Sequence, residues 1–278
     1  MGAKIMKTLI PSVVATVLTV AVVHAELPSL EEDGLQGTFS TFDNREMRFQ
    51  LFVDGGGVIY PLFKDKQVFP YVKIPLSITL AEVLPNGVIE EHAIDPASLE
   101  TDDKPTSNMK TTTIRGKFEG GGAFEAAFEE KRGALLVSSK LTDDAGLAGK
   151  ELRLQVTAEI LNFYGRELQK LGGDMKAFEA LAKKSSLAVL GKDRKKSEFD
   201  FTQIIPGVLT STSEAFSQEA EVELDVIERS FKFAADGKSG LKIDPRRKEQ
   251  ALHYGCFIRW SPDDAKNPAG SVFTIEVD

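Results

Sequence analysis

Apolar and polar residues alternate with a period of two along most of the chain between Gly37 and about Ile160. The clearest run covers residues 152–160, where apolar side chains at even positions alternate with polar or charged ones at odd positions. Residues 74–80 alternate in the same way. This period is typical of strands in an antiparallel sheet with one covered face. Pro75 cannot donate to a ladder, so its strand is predicted to lie at an edge or to carry a bulge.

Turn residues separate these runs and predict hairpins between them. The turns fall at residues 54–57, 85–87, 120–122, 131–133 and 236–237. Residues 95–109 differ, because they combine Pro96 and Pro105 with many Asp, Thr and Ser residues. We interpret them as a long loop and as the possible boundary between two subdomains.

One helical insertion interrupts the strands. Asp174 is a suitable N-cap, and the apolar residues that follow it recur at helical spacing. Residues 163–171 are predicted to form a short preceding helix, with a break at 172–173 and an end of the insertion near Gly191. Strands are then predicted at 198–202, 220–227, 229–234, 252–260 and 271–277.

These elements predict an all-β fold, mainly an antiparallel β-sandwich, with one short α-helical insertion around residues 163–190. The pattern contains roughly twelve strands and one or two helices, and a single open sheet of that many strands would curl or split into two layers.

The first 25 residues have the pattern of a secretory signal peptide. Lys4 and Lys7 precede an apolar stretch, 8–23, and His24 and Ala25 follow it. We expect cleavage after Ala25 and one exported domain over residues 26–278, secreted or periplasmic in a bacterium. An uncleaved N-terminal anchor is the alternative, although the apolar stretch is shorter than the roughly 20 residues that a spanning helix needs. No later segment predicts a membrane span.

Charge and cysteine content narrow the function classes. Removing residues 1–25 leaves 32 basic residues against 42 acidic ones, so the exported chain is strongly acidic. We therefore expect no nucleic-acid partner, because phosphate binding relies on Lys and Arg. Cys256 is the only cysteine, so no intrachain disulfide can form.

Motifs for familiar catalytic chemistry are missing from the sequence. There is no Gly-x-Ser-x-Gly elbow and no His-Glu-x-x-His metal motif. Cys256 has the strand parity of Ile258 and Trp260, which predicts a buried, inert thiol, and places His253 on the opposite face. We therefore name no catalytic residue.

The sequence predicts no metal site and no cofactor, although calcium stays open because carboxylates suffice to bind it. Residues 90–92, Glu-Glu-His, are interpreted as a solvated strand end and not as a ligand set. Asp263 and Asp264 lie in a predicted loop, where they form either a binding site or a solvated turn.

Lys195 and Lys196 end a basic run, 183–196, that holds six cations. This run could bind an anionic partner, or it could be a solvated helix end and loop. Together with Asp263 and Asp264, these two lysines are the candidate binding residues.

Two functions remain. The first is an exported, non-catalytic binding or structural protein of the bacterial envelope, with an envelope polymer or a protein as partner. The alternative is an extracellular hydrolase that acts on polysaccharide through paired carboxylates. A hydrolase needs a concave pocket with convergent acids. For the non-catalytic protein we expect no pocket lined by two or more acids.

Overall fold

The computed structural model describes residues 26–63, 68, 72–149, 151–161, 163–191, 193–205, 217–246, 249–268 and 270–278. The predicted signal peptide, 1–25, lies outside the described residues. The strands of the described part are β1 (Thr38–Asp43), β2 (Met47–Phe52), β3 (Gly57–Pro61), β4 (Ile74–Val83), β5 (Ile89–Glu100), β6 (Thr111–Phe118), β7 (Ala123–Lys131), β8 (Ala134–Asp143), β9 (Glu151–Ile160), β10 (Ser186–Gly191), β11 (Lys196–Asp200), β12 (Ser217–Leu224), β13 (Arg229–Asp236), β14 (Ser239–Pro245), β15 (Cys256–Pro262) and β16 (Val272–Val277). The helices are α1 (Gly165–Lys170) and α2 (Met175–Ala182).

The all-β prediction is confirmed, and the named strands pair antiparallel in one large sheet. The sheet follows the order β1-β2-β3-β4-β5-β6-β7-β8-β16-β13-β12-β14-β15-β9, with β10 beside β12 and β11 beside β10. A further ladder joins β4 to β9. The sheet folds over its own apolar face, because side chains from strands that are not neighbours in this order stack on one another. Phe49 lies 5.6 Å from Phe128, and Trp260 lies 6.2 Å from Phe273, between ring centroids.

The period-two pattern accounts for the core. In β9 the even positions from Leu154 to Ile160 are buried, as the alternation predicts, but Gln155 and Thr157 on the face expected to meet water are buried as well. The prediction for Pro75 was wrong, because β4 lies inside the sheet, with ladders to β3, β5 and β9, and none of these ladders shifts register. Pro75 is tolerated because the β9 ladder begins one residue later, at Leu76, so no bond to β9 is lost.

The predicted loop at 95–109 is shorter than expected. β5 continues to Glu100, and its pairing with β6 shifts register between Asp95 and Glu100. The Ser98 hydroxyl donates to the Asp95 carbonyl at 2.7 Å within this irregular segment. A side-chain hydrogen bond therefore satisfies the Asp95 carbonyl in a segment that the sequence predicted to be a loop.

The helical insertion is confirmed, but its boundary moves. The Asp174 side chain caps α2 by accepting hydrogen bonds from the backbone N–H groups of Lys176 and Ala177. The insertion ends at Ala182 and does not reach Gly191, because residues Ser186–Gly191 form β10 between β11 and β12. A short apolar run is compatible with helix or strand, and here two neighbouring strands supply partners for its backbone.

Two further segments predicted as strand ends are single 3-10 turns, Asp225–Ile227 and Leu252–Tyr254. As a consequence, β12 ends at Leu224 and β15 begins only at Cys256. Within the described residues, no helix is both long enough and apolar enough to cross a membrane.

Candidate functional site

A concave region lies on the outer face of β10, β12, β13 and β16, and we name it the sheet depression. Its volume is about 430 Å³. Small or apolar side chains form part of its lining, and charged side chains lie among them. The small or apolar ones include Ala188, Leu190, Ala234 and Thr274, and the charged ones are Lys196, Glu219, Glu221, Lys232 and Glu276.

Strand register arranges the charges of the depression in a row. Glu221 of β12 lies directly opposite Lys232 of β13, and Lys232 lies opposite Glu276 of β16. The ammonium group of Lys232 lies 4.0 Å from the Glu221 carboxylate and is also paired with the carboxylate of Asp278. The hydrogen bond to Asp278 raises the pKa of Lys232, so this side chain stays cationic at neutral pH. The row therefore alternates negative, positive and negative.

The expectation that no concave pocket is lined by two or more acids was wrong, and this result counts against the non-catalytic function and keeps the hydrolase open. Glu219, Glu221 and Glu276 all line the sheet depression. Each of them points outward from its strand, as the alternation predicts. What brings them together is the neighbour order β12-β13-β16, which joins strands distant in sequence and is not visible in the pattern of any one strand.

The two candidate lysines have different positions. Lys196 lines the sheet depression, where it lies opposite Leu190 in the β10–β11 ladder. The Lys195 ammonium group lies 3.2 Å from the carboxylate of Asp193, in the turn that connects these two strands. The basic run is thus partly neutralised by its own acid.

The two candidate aspartates, Asp263 and Asp264, also have different surroundings. Asp263 lines a shallow pocket next to the depression, together with Arg194 and Lys238. Asp264 accepts backbone hydrogen bonds from Lys266 at 2.9 Å and Asn267 at 3.1 Å. These bonds lower the pKa of Asp264 and show its role in holding a turn. The four candidate residues therefore do not form one site.

A second polar group, which we name the histidine–carboxylate cluster, consists of Glu82, Glu90 and His92. Each residue offers a ligand atom, and these atoms lie within 4.8 Å of one another. The β4–β5 ladder places Glu82 directly opposite Glu90 and Leu80 opposite His92. Gly87 forms the connecting turn with φ of +82°, a conformation that favours glycine.

The interior of this cluster is closed to water on one side. Glu82 is only 4% exposed, and its Oε2 lies 2.9 Å from Nε2 of His92. Its other oxygen, Oε1, accepts the backbone N–H of Ala148 at 2.7 Å. Burial alone would raise the pKa of Glu82, but bonds from His92, Ala148 and Gly149 lower it, so the carboxylate stays ionised.

The sequence interpretation of residues 90–92 as a solvated strand end missed Glu82. The side chain of His92 is mostly buried, with 15% of its surface exposed, whereas Glu90 and Glu91 are exposed. Glu82 has the same strand parity as the buried residues Ile78 and Leu80. A charged residue at an apolar position beside a predicted hairpin was therefore the signal that could have found this cluster.

Among the residues that the structure describes, Cys256 and His253 do not converge on a reaction centre. Cys256 is buried, as predicted, and burial raises the pKa of its thiol to about 12. His253 lies in a 3-10 turn and not in the strand, so the argument from opposite strand faces does not apply. The His253 ring contacts Phe178 edge-on at 5.1 Å, and its Nδ1 is 3.1 Å from the carbonyl of Phe201.

Comparison of the chain with models of known protein families gave no match, and comparison with curated proteins gave no significant match.

Proposed function

We propose that the chain is an exported, non-catalytic binding protein of the bacterial envelope, and that it recognises an envelope polymer or a protein through the sheet depression. The observation that carries this proposal is the row of alternating charges beside small side chains on an outward sheet face. The signal-peptide pattern of residues 1–25 supports export.

The form of the depression supports recognition more than turnover. Glu219 and Glu276 are exposed, and Glu221 is paired with Lys232. The acid of a glycoside hydrolase typically lies in an apolar pocket, which exposed or paired carboxylates do not provide. An open face with both charge signs instead suits a ligand that carries ionic groups of its own.

The small side chains offer a direct way to block the site. Ala234 is half-buried on the outer face of β13, so Ala234→Arg would project a long side chain into the depression. Ala127→Arg is the matched control, because Ala127 is also half-buried but lies on β7, away from the depression. Both variants are expected to fold, since neither alanine belongs to the buried core.

A thermal-shift screen against envelope polysaccharides and envelope proteins tests the proposal. A ligand at 100 times its dissociation constant adds about 2.7 kcal/mol of stability. The expected result is a shift with one class of ligand that Ala234→Arg abolishes and Ala127→Arg retains. An equal shift in both variants would contradict binding at the depression.

The hydrolase remains a second candidate because three glutamates line the depression. Incubating the chain with each polysaccharide and measuring released reducing ends separates the two functions. The binding proposal expects no release by the wild-type chain above that of the Glu219→Gln, Glu221→Gln and Glu276→Gln variants. Release that depends on any one of these residues would favour the hydrolase.

A further inference from the structure

The histidine–carboxylate cluster places charge where the fold otherwise buries apolar side chains. Glu82 continues the inward-facing series of Ile78 and Leu80 on β4, and only 4% of it is exposed. Burying a carboxylate costs several kcal/mol unless it is paired and hydrogen-bonded. The two backbone donors and His92 supply part of this compensation.

Glu90 adds a second negative charge that these hydrogen bonds do not compensate. It lies directly opposite Glu82 in the ladder, so two carboxylates share one side of the hairpin beside a single imidazole. Like charges directly opposite each other destabilise a sheet. A hydrogen bond between Glu82 and His92 explains neither the position of Glu90 nor the excess of negative charge. A bound cation would account for both.

We propose that Glu82, Glu90 and His92 bind one divalent transition-metal ion, for which zinc is the best fit. This inference does not rest on the proposed function, because the cluster uses β4 and β5 and the sheet depression uses other strands.

The distances are compatible with such an ion. Zinc lies about 2.0–2.2 Å from imidazole nitrogen and carboxylate oxygen, which puts two ligand atoms of a tetrahedral site about 3.3 Å apart. The separation of 2.9 Å between His92 Nε2 and Glu82 Oε2 needs an adjustment of a few tenths of an ångström. Three protein ligands leave a fourth position for water, and the exposed Glu90 side gives access from solvent.

Neighbouring groups hold the buried ligand in place. The Ala148 N–H fixes Oε1 of Glu82, which leaves Oε2 directed at His92. Gly149 packs so closely that a Cβ there would clash with Cγ of Glu82. Hydrogen bonds of this kind orient metal ligands and support their affinity.

The donor set selects the class of ion. One imidazole nitrogen with two carboxylate oxygens suits zinc and similar transition metals, whereas calcium takes six to eight oxygen ligands. The calcium that the sequence left open was associated with acidic loops and not with this cluster.

Calorimetric titration of the metal-free, untagged chain with zinc chloride tests the proposal. We expect one zinc ion per chain, with at least tenfold weaker binding in His92→Asn and in Glu90→Gln. His253→Asn and Glu91→Gln are the matched controls, since His253 is the other described histidine and Glu91 points to the opposite face of β5. Both controls are expected to bind zinc like the wild type.

Glu90→Gln keeps the test decisive, because Glu90 is exposed and its replacement does not disturb the core. Calcium chloride in place of zinc chloride is expected to give at least tenfold weaker binding. The proposal would be overturned if the wild type bound no zinc, if calcium bound as tightly, or if His92→Asn and Glu90→Gln retained wild-type affinity.

Discussion

The regions around His92 and His253 place the same side chain in opposite environments. His92 faces the buried carboxylate of Glu82 at the end of the β4–β5 hairpin, with Glu90 beside it. His253 packs edge-on against Phe178 of α2, and its polar partner is the carbonyl of Phe201. In the first region, possible metal-ligand atoms lie close together and one side is open to solvent. In the second region, the imidazole ring packs among aromatic side chains.

The difference shows that the role of a histidine depends on the side chains that contact its ring. Glu82 from the adjacent strand and Glu90 from its own strand make His92 a candidate ligand, whereas aromatic contacts make His253 part of the packing. Burial lowers the pKa of His253, although the Phe201 bond and Glu179 oppose the shift, so its ring favours the neutral form. The predictions below test this contrast.

The largest effect is expected in the aromatic region. Phe178 is buried and also contacts the ring of Tyr164 at 6.0 Å, so Phe178→Ala removes the centre of this packing. The free energy of unfolding is expected to fall by about 3–5 kcal/mol. Met175→Ala on the exposed side of the same helix is expected to change it by less than about 0.5 kcal/mol. Denaturant titration measures both, and similar values would contradict a structural role for α2.

A smaller effect is expected from Glu82→Ala in metal-free buffer. The substitution removes the carboxylate that accepts from the Ala148 N–H and pairs with His92, and loss of these part-buried hydrogen bonds should cost about 1–3 kcal/mol. Glu90→Gln is expected to be neutral or slightly stabilising under the same conditions, because it removes the like charge opposite Glu82. Loss of stability in Glu90→Gln equal to that in Glu82→Ala would show that the two carboxylates do not repel each other.

The smallest effect is a dependence on pH. Because the pKa of His253 in the fold is below its ordinary value of 6.5, its contribution to stability is present above pH 6.5. That contribution is lost as the pH falls through 6.5 toward the lowered value. Denaturant titrations at pH 8 and pH 5.5 should therefore show a smaller loss of stability in His253→Gln than in the wild type. Equal losses would contradict a pKa lowered by burial.

Local pattern was enough to predict much of the fold. The strand at 152–160, the glycine turn at 85–87 and the Asp174 cap are all present as predicted. Each depends on residues close together in sequence, so each leaves a clear signal. The strand at Ser186–Gly191 was missed because a short apolar run fits a helix end as well as a strand, and its second partner, β12, begins only at Ser217.

The candidate sites also differ in whether the residues that form them are close together in sequence. Glu82 and His92 belong to one hairpin, so the turn at 85–87 and the strand parity together would have placed them side by side. The glutamates of the sheet depression could not be brought together in this way. Their proximity depends on β13 lying between β12 and β16, which is a property of the tertiary structure.

An anomalous difference map from a crystal of the zinc-loaded chain, recorded at the zinc absorption edge, tests the contrast between the two histidines most directly. The account predicts a peak about 2.0–2.2 Å from His92 Nε2 and from one carboxylate oxygen of both Glu82 and Glu90. A peak at His253, or His92 still bonded to Glu82 without a peak beside it, would contradict the account.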